Sequence, residues 1–284
     1  DDTTTKTTRT TILIVLNTPI VPGKSPNFER LWHSSQVRIC ADGGANRLFH
    51  YDPAILPDLI KGDLDSLEDV IRQYYESKGV KVEQDPCQNT NDLDKALQVC
   101  QQQSSSSSSS DTTTLPQPPP RILIYGAFGG RFDQEMASFA ALYKWSPLFD
   151  YQMLLYSEET CAFLIPSETN CEIRLPCYDE HVPVPAAVPT TSNTESKDGD
   201  NKPSAIAVLE GPTCGLIPLG CRCDSAVTSG LKWDLDGTMP LEFGGLVSSS
   251  NRVMKEVLTV KASHPLVFTA ELQQHAWSSS TVVT

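Results

Sequence analysis

The chain lacks any concentration of positive charge. Its 22 Lys and Arg stand against 35 Asp and Glu, a formal net charge of -13, and no basic run occurs. A duplex nucleic-acid binder needs a basic face to displace counterions, so that class is excluded. Long apolar runs are missing as well. Stretches such as residues 11–16 and 122–125 suit buried strands and are far too short to span a bilayer. Zinc-ligand spacing is absent: the nine cysteines are scattered, Cys221 and Cys223 form a lone C-x-C, and no second pair or His cluster accompanies them. There is no G-x-x-x-x-G-K-[ST], which excludes a P-loop, and no internal repeat. What remains is a chain of 284 residues, 39% hydrophobic, long enough for one large domain or two ordinary ones. Residues 1–10 are polar and Thr-rich and read as a loose N-terminus without a leader segment; buried free thiols in a reducing, cytoplasmic compartment are the expectation.

The first half alternates strands and helices. Short aliphatic runs at 12–17, 37–41, 57–61, 80–83, 121–125 and 151–156 read as strands. Residues 45–49, 67–77, 91–101 and 131–145 carry helical patterns between them; in 67–77 the apolar residues fall at 67, 70, 71, 74 and 75. This alternation predicts an α/β fold with a mostly parallel sheet and helices on both faces. After about residue 158 the helical periodicity stops. Strand-like pieces at 161–165, 171–175, 205–209, 225–233, 253–260 and 266–270 alternate with Gly, Pro and Ser turns, which predicts an antiparallel β-sandwich. Two polar tracts, 101–120 with seven consecutive serines and 179–203, bury too little apolar surface to offset their ordering entropy and read as surface insertions.

Ligands of an open parallel sheet bind beyond the carboxyl ends of its strands. Four polar motifs fall there: ADGGAN at 41–46, GDLDS at 62–66, QNTND at 88–92 and GAFGGRFD at 126–133. Asp63 and Asp65 are hard oxygen ligands suited to magnesium, which completes its shell with water and phosphate oxygens; equally, Asp65 or Ser66 can cap the following helix. Gly43 and Gly44 after Asp42 permit close backbone approach to a nucleotide, or form a plain turn into a helix. Gly129 and Gly130 open the next helix, whose free N–H groups can receive phosphate. Arg131 can add a bidentate contact, in a first turn where the helix dipole disfavours a cation. Asp133 is either a dipole partner or orients Arg131. Asp92 and Asp94 are ordinary first-turn carboxylates on local grounds, and Lys95 carries no special signal. In the second half, Trp233 can stack on a flat cation or pack inside the sandwich. The Ser/Asn run after Gly244 and Gly245 reads as a hairpin loop.

Taken in order, these blocks resemble the thiamin pyrophosphokinase family: ADGGANRLF at 41–49, GDLDS at 62–66, QNTNDLDKAL at 88–97, GAFGGRFDQ at 126–134, then SGLKWDL and FGGLVSSSN. The resemblance implies an ATP-dependent, magnesium-dependent enzyme that moves pyrophosphate to the thiamin hydroxyl and releases AMP. It implies a catalytic part over 1–157, a thiamin-binding β-sandwich over 158–284, and a homodimer with no nucleic-acid or membrane partner. Asp63, Asp65 and Asp92 match the metal ligands and, with Arg131, the catalytic set. Asp42, Gly43, Gly44, Gln88, Asn91, Gly129, Gly130, Arg131 and Asp133 match positions around ATP. Trp233, Ser229, Ser249, Ser250 and Asn251 match positions around thiamin. The chain departs from the family pattern at Asn91 and Asp94, where threonines are common, and at Ala127 and Phe128 in the glycine block. The competing readings are another pyrophosphokinase, such as one acting on a hydroxymethylpterin, and a non-catalytic nucleotide or vitamin sensor.

Overall fold

A computed structural model of the chain describes residues 9–106, 118–175 and 206–276. Six strands form its parallel half: β1 (Thr11–Val15), β2 (Val37–Ala41), β3 (Leu59–Gly62), β4 (Lys81–Gln84), β5 (Arg121–Tyr125) and β6 (Met153–Tyr156). Their spatial order is β6-β5-β1-β2-β3-β4, every neighbour parallel. The helices are α1 (Pro26–Ser34), α2 (Gly44–Tyr51), α3 (Asp69–Ser77), α4 (Asp92–Ser106) and α5 (Phe132–Trp145).

Side chains alternate across a strand, and here the alternation divides two cores. Leu13 and Val15 of β1 face Phe28, Leu31, Leu48, Ile71 and Tyr75 of α1, α2 and α3. Ile12 and Ile14 face Leu93, Leu97, Leu142 and Trp145 of α4 and α5. Asp94 of α4 ties these last two helices together, accepting from Lys144 Nζ at 2.9 Å and Trp145 Nε1 at 2.5 Å.

The second half is antiparallel, as expected, but its principal layer continues the first sheet. It contains β7 (Thr160–Ile165), β8 (Asn170–Arg174), β9 (Ile206–Ile217), β10 (Ala226–Ser229), β11 (Ser248–Arg252), β12 (Val257–Ala262) and β13 (Leu266–Ala276). Strand β7 pairs directly with β6, and β13, β9 and β11 extend the sheet to ten strands. A three-stranded sheet, β10-β12-β8, covers this part, with Ile173, Leu258 and Val260 packed in one core with Leu216 and Phe268.

Three expectations change. Helix α1 arises in a stretch to which the sequence assigns no element. Its first amides are capped from far along the chain: Asn27 and Phe28 donate to Glu158 Oε2 and Oε1, each at 3.0 Å, and Tyr125 Oη donates to Oε1 at 2.9 Å. The Ser/Asn run is not a hairpin loop but edge strand β11, held by backbone pairing to β9 with a register shift between Ser248 and Asn251. The strand expected over 225–233 stops at Ser229, because Gly230 turns at φ +100° and Asp234 collects Thr228 Oγ1 and the Gly230 and Leu231 amides. Helix α4 runs into the serine tract as far as Ser106; the rest of that tract to residue 117, and the 179–203 insertion, lie outside the described residues. No helix among the described residues is long and apolar enough to cross a membrane. None of the eight described cysteines is in a disulfide, and most of them are buried.

Candidate functional site

The chain leaves β1 toward β2 on one side and returns to β5 on the other, so the loops after β1 and β5 diverge. A crevice is expected at such a switch point. A cleft of about 460 Å³ lies there, lined by Asn17, Thr18, Asp42, Arg47, Asp92, Gly126, Ala127 and Gly129 to Arg131, among others. Thr18 Oγ1 donates to the Gly126 carbonyl at 2.7 Å and joins the two loops.

At one end of the cleft, Asp42, Asp63 and Asp92 bring carboxylate oxygens within 4.8 Å of one another. Glycines make this approach possible. A Cβ on Gly62 would stand 2.6 Å from Asp42 Cβ, and one on Gly44 would stand 2.2 Å from the Val15 carbonyl oxygen. Asp42 itself adopts a left-handed φ of +42° at the end of β2. Its Oδ2 accepts the Ser66 amide at 3.1 Å, while its Oδ1 is buried with no hydrogen-bond partner. Asp92 Oδ1 accepts the Asp63 amide at 3.3 Å.

Lys95, which carried no signal in the sequence, is the cation of this cluster. It is only 1% exposed, with Nζ 3.3 Å from Asp63 Oδ2 and 3.2 Å from Asp92 Oδ1. Burial works against its charge, but the hydrogen bonds and charges of Asp92 and Asp63 prevail and hold the ammonium above its ordinary pKa. Against a desolvation cost, the Asp65 amide and Lys95 hold Asp63 below the usual carboxylate range. Asp42 goes the other way: burial, opposed by the Ser66 amide and reinforced by the charges of Asp92 and Asp63, pushes it up. A carboxyl whose pKa rises on folding destabilises the fold progressively as pH climbs through that raised value. Asp42→Asn keeps an acceptor for Ser66 and removes the charge. In metal-free protein at neutral pH its thermal midpoint should rise by a few degrees, a gain that shrinks as the pH is lowered; an unchanged midpoint would contradict the destabilising charge assigned to Asp42.

The other expected residues are distributed around this centre. Asp65 is exposed and outside the carboxylate trio; its Oδ1 accepts the Ser66 hydroxyl at 3.0 Å, and its amide donates to Asp63 Oδ1 at 3.3 Å in a tight turn. Gln88 Nε2 reaches Asp63 Oδ2 at 3.5 Å. Asn91 caps α4, its Oδ1 accepting the Asp94 amide at 2.7 Å. Gly43 lines the cleft and lets Asn17 approach, since a Cβ there would stand 2.4 Å from Asn17 Nδ2. Gly129 and Gly130 take φ of +85° and +96° ahead of α5, and the Gly129 amide donates to Glu135 Oε1 at 2.7 Å. Arg131 is exposed and paired through Nε and Nη2 with both carboxylate oxygens of Asp133, which therefore orients it.

Trp233 does not pack inside the sandwich. It is 56% exposed, with Lys232 Nζ 4.5 Å from its ring centroid. Buried Asn251 clamps its backbone, accepting its amide at 3.2 Å and donating to its carbonyl at 2.9 Å. Ser229, four residues before Trp233, and Ser249 and Ser250, just before Asn251, are exposed, and none of these five residues lines the cleft.

Comparison with known proteins covers both halves. The family described as "Thiamin pyrophosphokinase, catalytic domain" matches residues 28–153, and "Thiamin pyrophosphokinase, vitamin B1 binding domain" matches 199–267. Thiamine pyrophosphokinase 1 of Oryza sativa subsp. japonica is 32% identical over 257 residues, covering 86% of this chain and 81% of its own. Thiamine pyrophosphokinase 2 of Arabidopsis thaliana is 32% identical over 277 residues, covering 92% and 86%. The solved thiamin pyrophosphokinase from Candida albicans superposes with a TM-score of 0.69 at 25% identity, over 93% of this chain and 90% of that one.

Proposed function

Since the chain belongs to the thiamin pyrophosphokinase family, we propose that its cleft holds ATP with the phosphates toward Asp42, Asp63 and Asp92. The reaction is transfer of pyrophosphate from ATP to the hydroxyl of thiamin, giving thiamin pyrophosphate and AMP. A match to the vitamin-binding half as well as the catalytic half favours thiamin over a pterin substrate. The observation that carries the placement is the buried, unpartnered Oδ1 of Asp42 beside two further carboxylates at the mouth of a switch-point cleft.

Three carboxylates against one ammonium leave a net negative site of hard oxygen donors, which fits magnesium. Asp42, Asp63 and Asp92 would hold it, with Asp65 close by in the same turn. When bound, magnesium supplies positive charge beside the phosphate oxygens. The chain's own residues then do the positioning on which such transfer depends. Lys95 holds Asp63 and Asp92 in place and keeps Asp63 ionised. The glycine turn and the first amides of α5 receive phosphate oxygens, and Arg131, steadied by Asp133, closes over them. Gln88 and Asn91 shape the rim. In this reading residues 1–157 form the nucleotide part and 158–284 the thiamin part, in a cytoplasmic enzyme; the lack of disulfides among the described cysteines supports a reducing compartment.

Trp233 serves thiamin. Its exposed ring face already carries one cation, Lys232, and can stack on the thiazolium instead. Asn251 holds the ring's backbone, and Ser229, Ser249 and Ser250 are exposed in the same half. Exposed Met239, Phe243 and Met254 in the same half, none of them lining the cleft, support a homodimer in which a second copy completes the site. Trp233→Ala should raise the KM for thiamin roughly 2- to 30-fold with the KM for ATP unchanged; equal effects on both would remove the stacking role. The activity itself is tested by chromatography after mixing protein, ATP and thiamin. AMP and thiamin pyrophosphate are the expected products, and ADP would overturn the reaction type.

A further inference from the structure

We propose that Arg47 is a second phosphate-binding guanidinium of the cleft, aimed by Asn17; this rests on the nucleotide reading above. Arg131 is not a free cation, because both arms of its fork meet Asp133. Arg47 differs. It lines the cleft from α2, its Nε donates to Asn17 Oδ1 at 2.8 Å, and among the described residues no carboxylate lies within ion-pair distance of it. The bond through Nε leaves the two terminal nitrogens, the pair that matches phosphate geometry, without an acidic partner.

Asn17 is held in turn. It sits in the loop after β1, which Thr18 Oγ1 fastens to the Gly126 carbonyl at 2.7 Å, and Gly43 lacks the Cβ that would strike Asn17 Nδ2. The cradle therefore spans both loops of the switch point and the first turns of α2. Arg47 stands midway along the eight-residue α2, whose first turn holds no acidic residue to balance it. A cleft-lining guanidinium held by a neutral amide and left without an acidic partner is suited to a ligand that supplies the negative charge. An anion of the phosphate class does so.

The test is calorimetric binding of ATP, AMP and adenosine to the full-length protein with magnesium, alongside steady-state kinetics. Arg47→Gln retains a donor for Asn17 Oδ1 and removes the charge; Arg47→Ala removes both. Each should weaken ATP binding roughly 10- to 100-fold and leave adenosine within about twofold. Asn17→Ala, which only releases the fork, should raise the KM for ATP roughly 3- to 10-fold with the KM for thiamin unchanged. The double variant Asn17→Ala/Arg47→Ala should be no worse than Arg47→Ala alone. If wild-type protein shows no preference for ATP over adenosine, the nucleotide reading of the cleft falls and takes this one with it. If the preference is present and Arg47→Gln keeps it within about twofold, or loses adenosine and ATP alike, only the role of Arg47 is overturned.

Discussion

Asp63→Asn lowers kcat by roughly 10²- to 10³-fold, measured as AMP release over a magnesium titration, and gives up the stability that the charged carboxylate contributes at neutral pH. Asparagine preserves the shape of the turn and an acceptor for the Asp65 amide, so the loop 62–66 keeps its fold. What disappears is one of three charges gathered within 4.8 Å. Asp63 lies where those charges converge: its amide donates to Asp92, and its Oδ2 meets Lys95 and Gln88. Because its pKa is depressed on folding, it contributes stability at pH values above the unfolded carboxylate pKa and loses it only as pH falls through the lower folded value. At neutral pH wild-type Asp63 is fully charged, so the defect of the variant should not be repaired by raising pH. Raising magnesium should repair it in part. Near-normal turnover of Asp63→Asn at low magnesium would remove the metal assignment.

Lys95→Met gives the second large effect, and it separates two quantities that usually move together. Without the ammonium, three carboxylates face each other unopposed. Breaking a fully buried ion pair costs about 3–5 kcal/mol. Here solvent screens part of that, since the Asp63 and Asp92 side chains are 18% and 35% exposed, so metal-free stability should fall by about 2–3 kcal/mol. The same excess negative charge should bind magnesium more tightly, so half-saturation shifts to lower concentration and magnesium restores most of the lost stability. Turnover at saturating magnesium should remain roughly 10²-fold low, because the ammonium no longer holds Asp63 and Asp92 in place near the phosphates. Recovery of turnover together with stability would reduce Lys95 to a counterion. The pH limits follow from the raised pKa: its stabilising contribution is complete below the unfolded lysine value and is lost as pH rises through the folded one.

The parallel half was largely legible because its signals are local. Aliphatic runs ending in Asp42-Gly43-Gly44, Gly62-Asp63 and Gly126 mark strand ends, and the alternation of residues 12–15 separates the two faces of the sheet. The resemblance grouped Asp63, Asp65 and Asp92 as metal ligands, whereas the trio that meets has Asp42 in place of Asp65; its members come from three separate loops, which no local signal joins. Other features depended on distant partners. Lys95 looked ordinary because Asp63, 32 residues away, decides its burial; its i, i+3 spacing from Asp92 was the one local hint. Arg47 needs Asn17, 30 residues earlier. Helix α1 takes its cap from Glu158, 131 residues beyond Asn27. Strand β11 carries serines where branched or aromatic residues usually announce a strand, and backbone pairing to β9 overrides that composition. Trp233 was read with two outcomes open, and the clamp by Asn251, 18 residues on, decides between them.

The ten-stranded sheet has no seam at its midpoint: β6 pairs with β5 on one edge and with β7 on the other. Hinge closure needs a few residues that absorb rotation between two bodies, and an unbroken ladder offers none. The two parts of the chain therefore cannot clap together around their substrates.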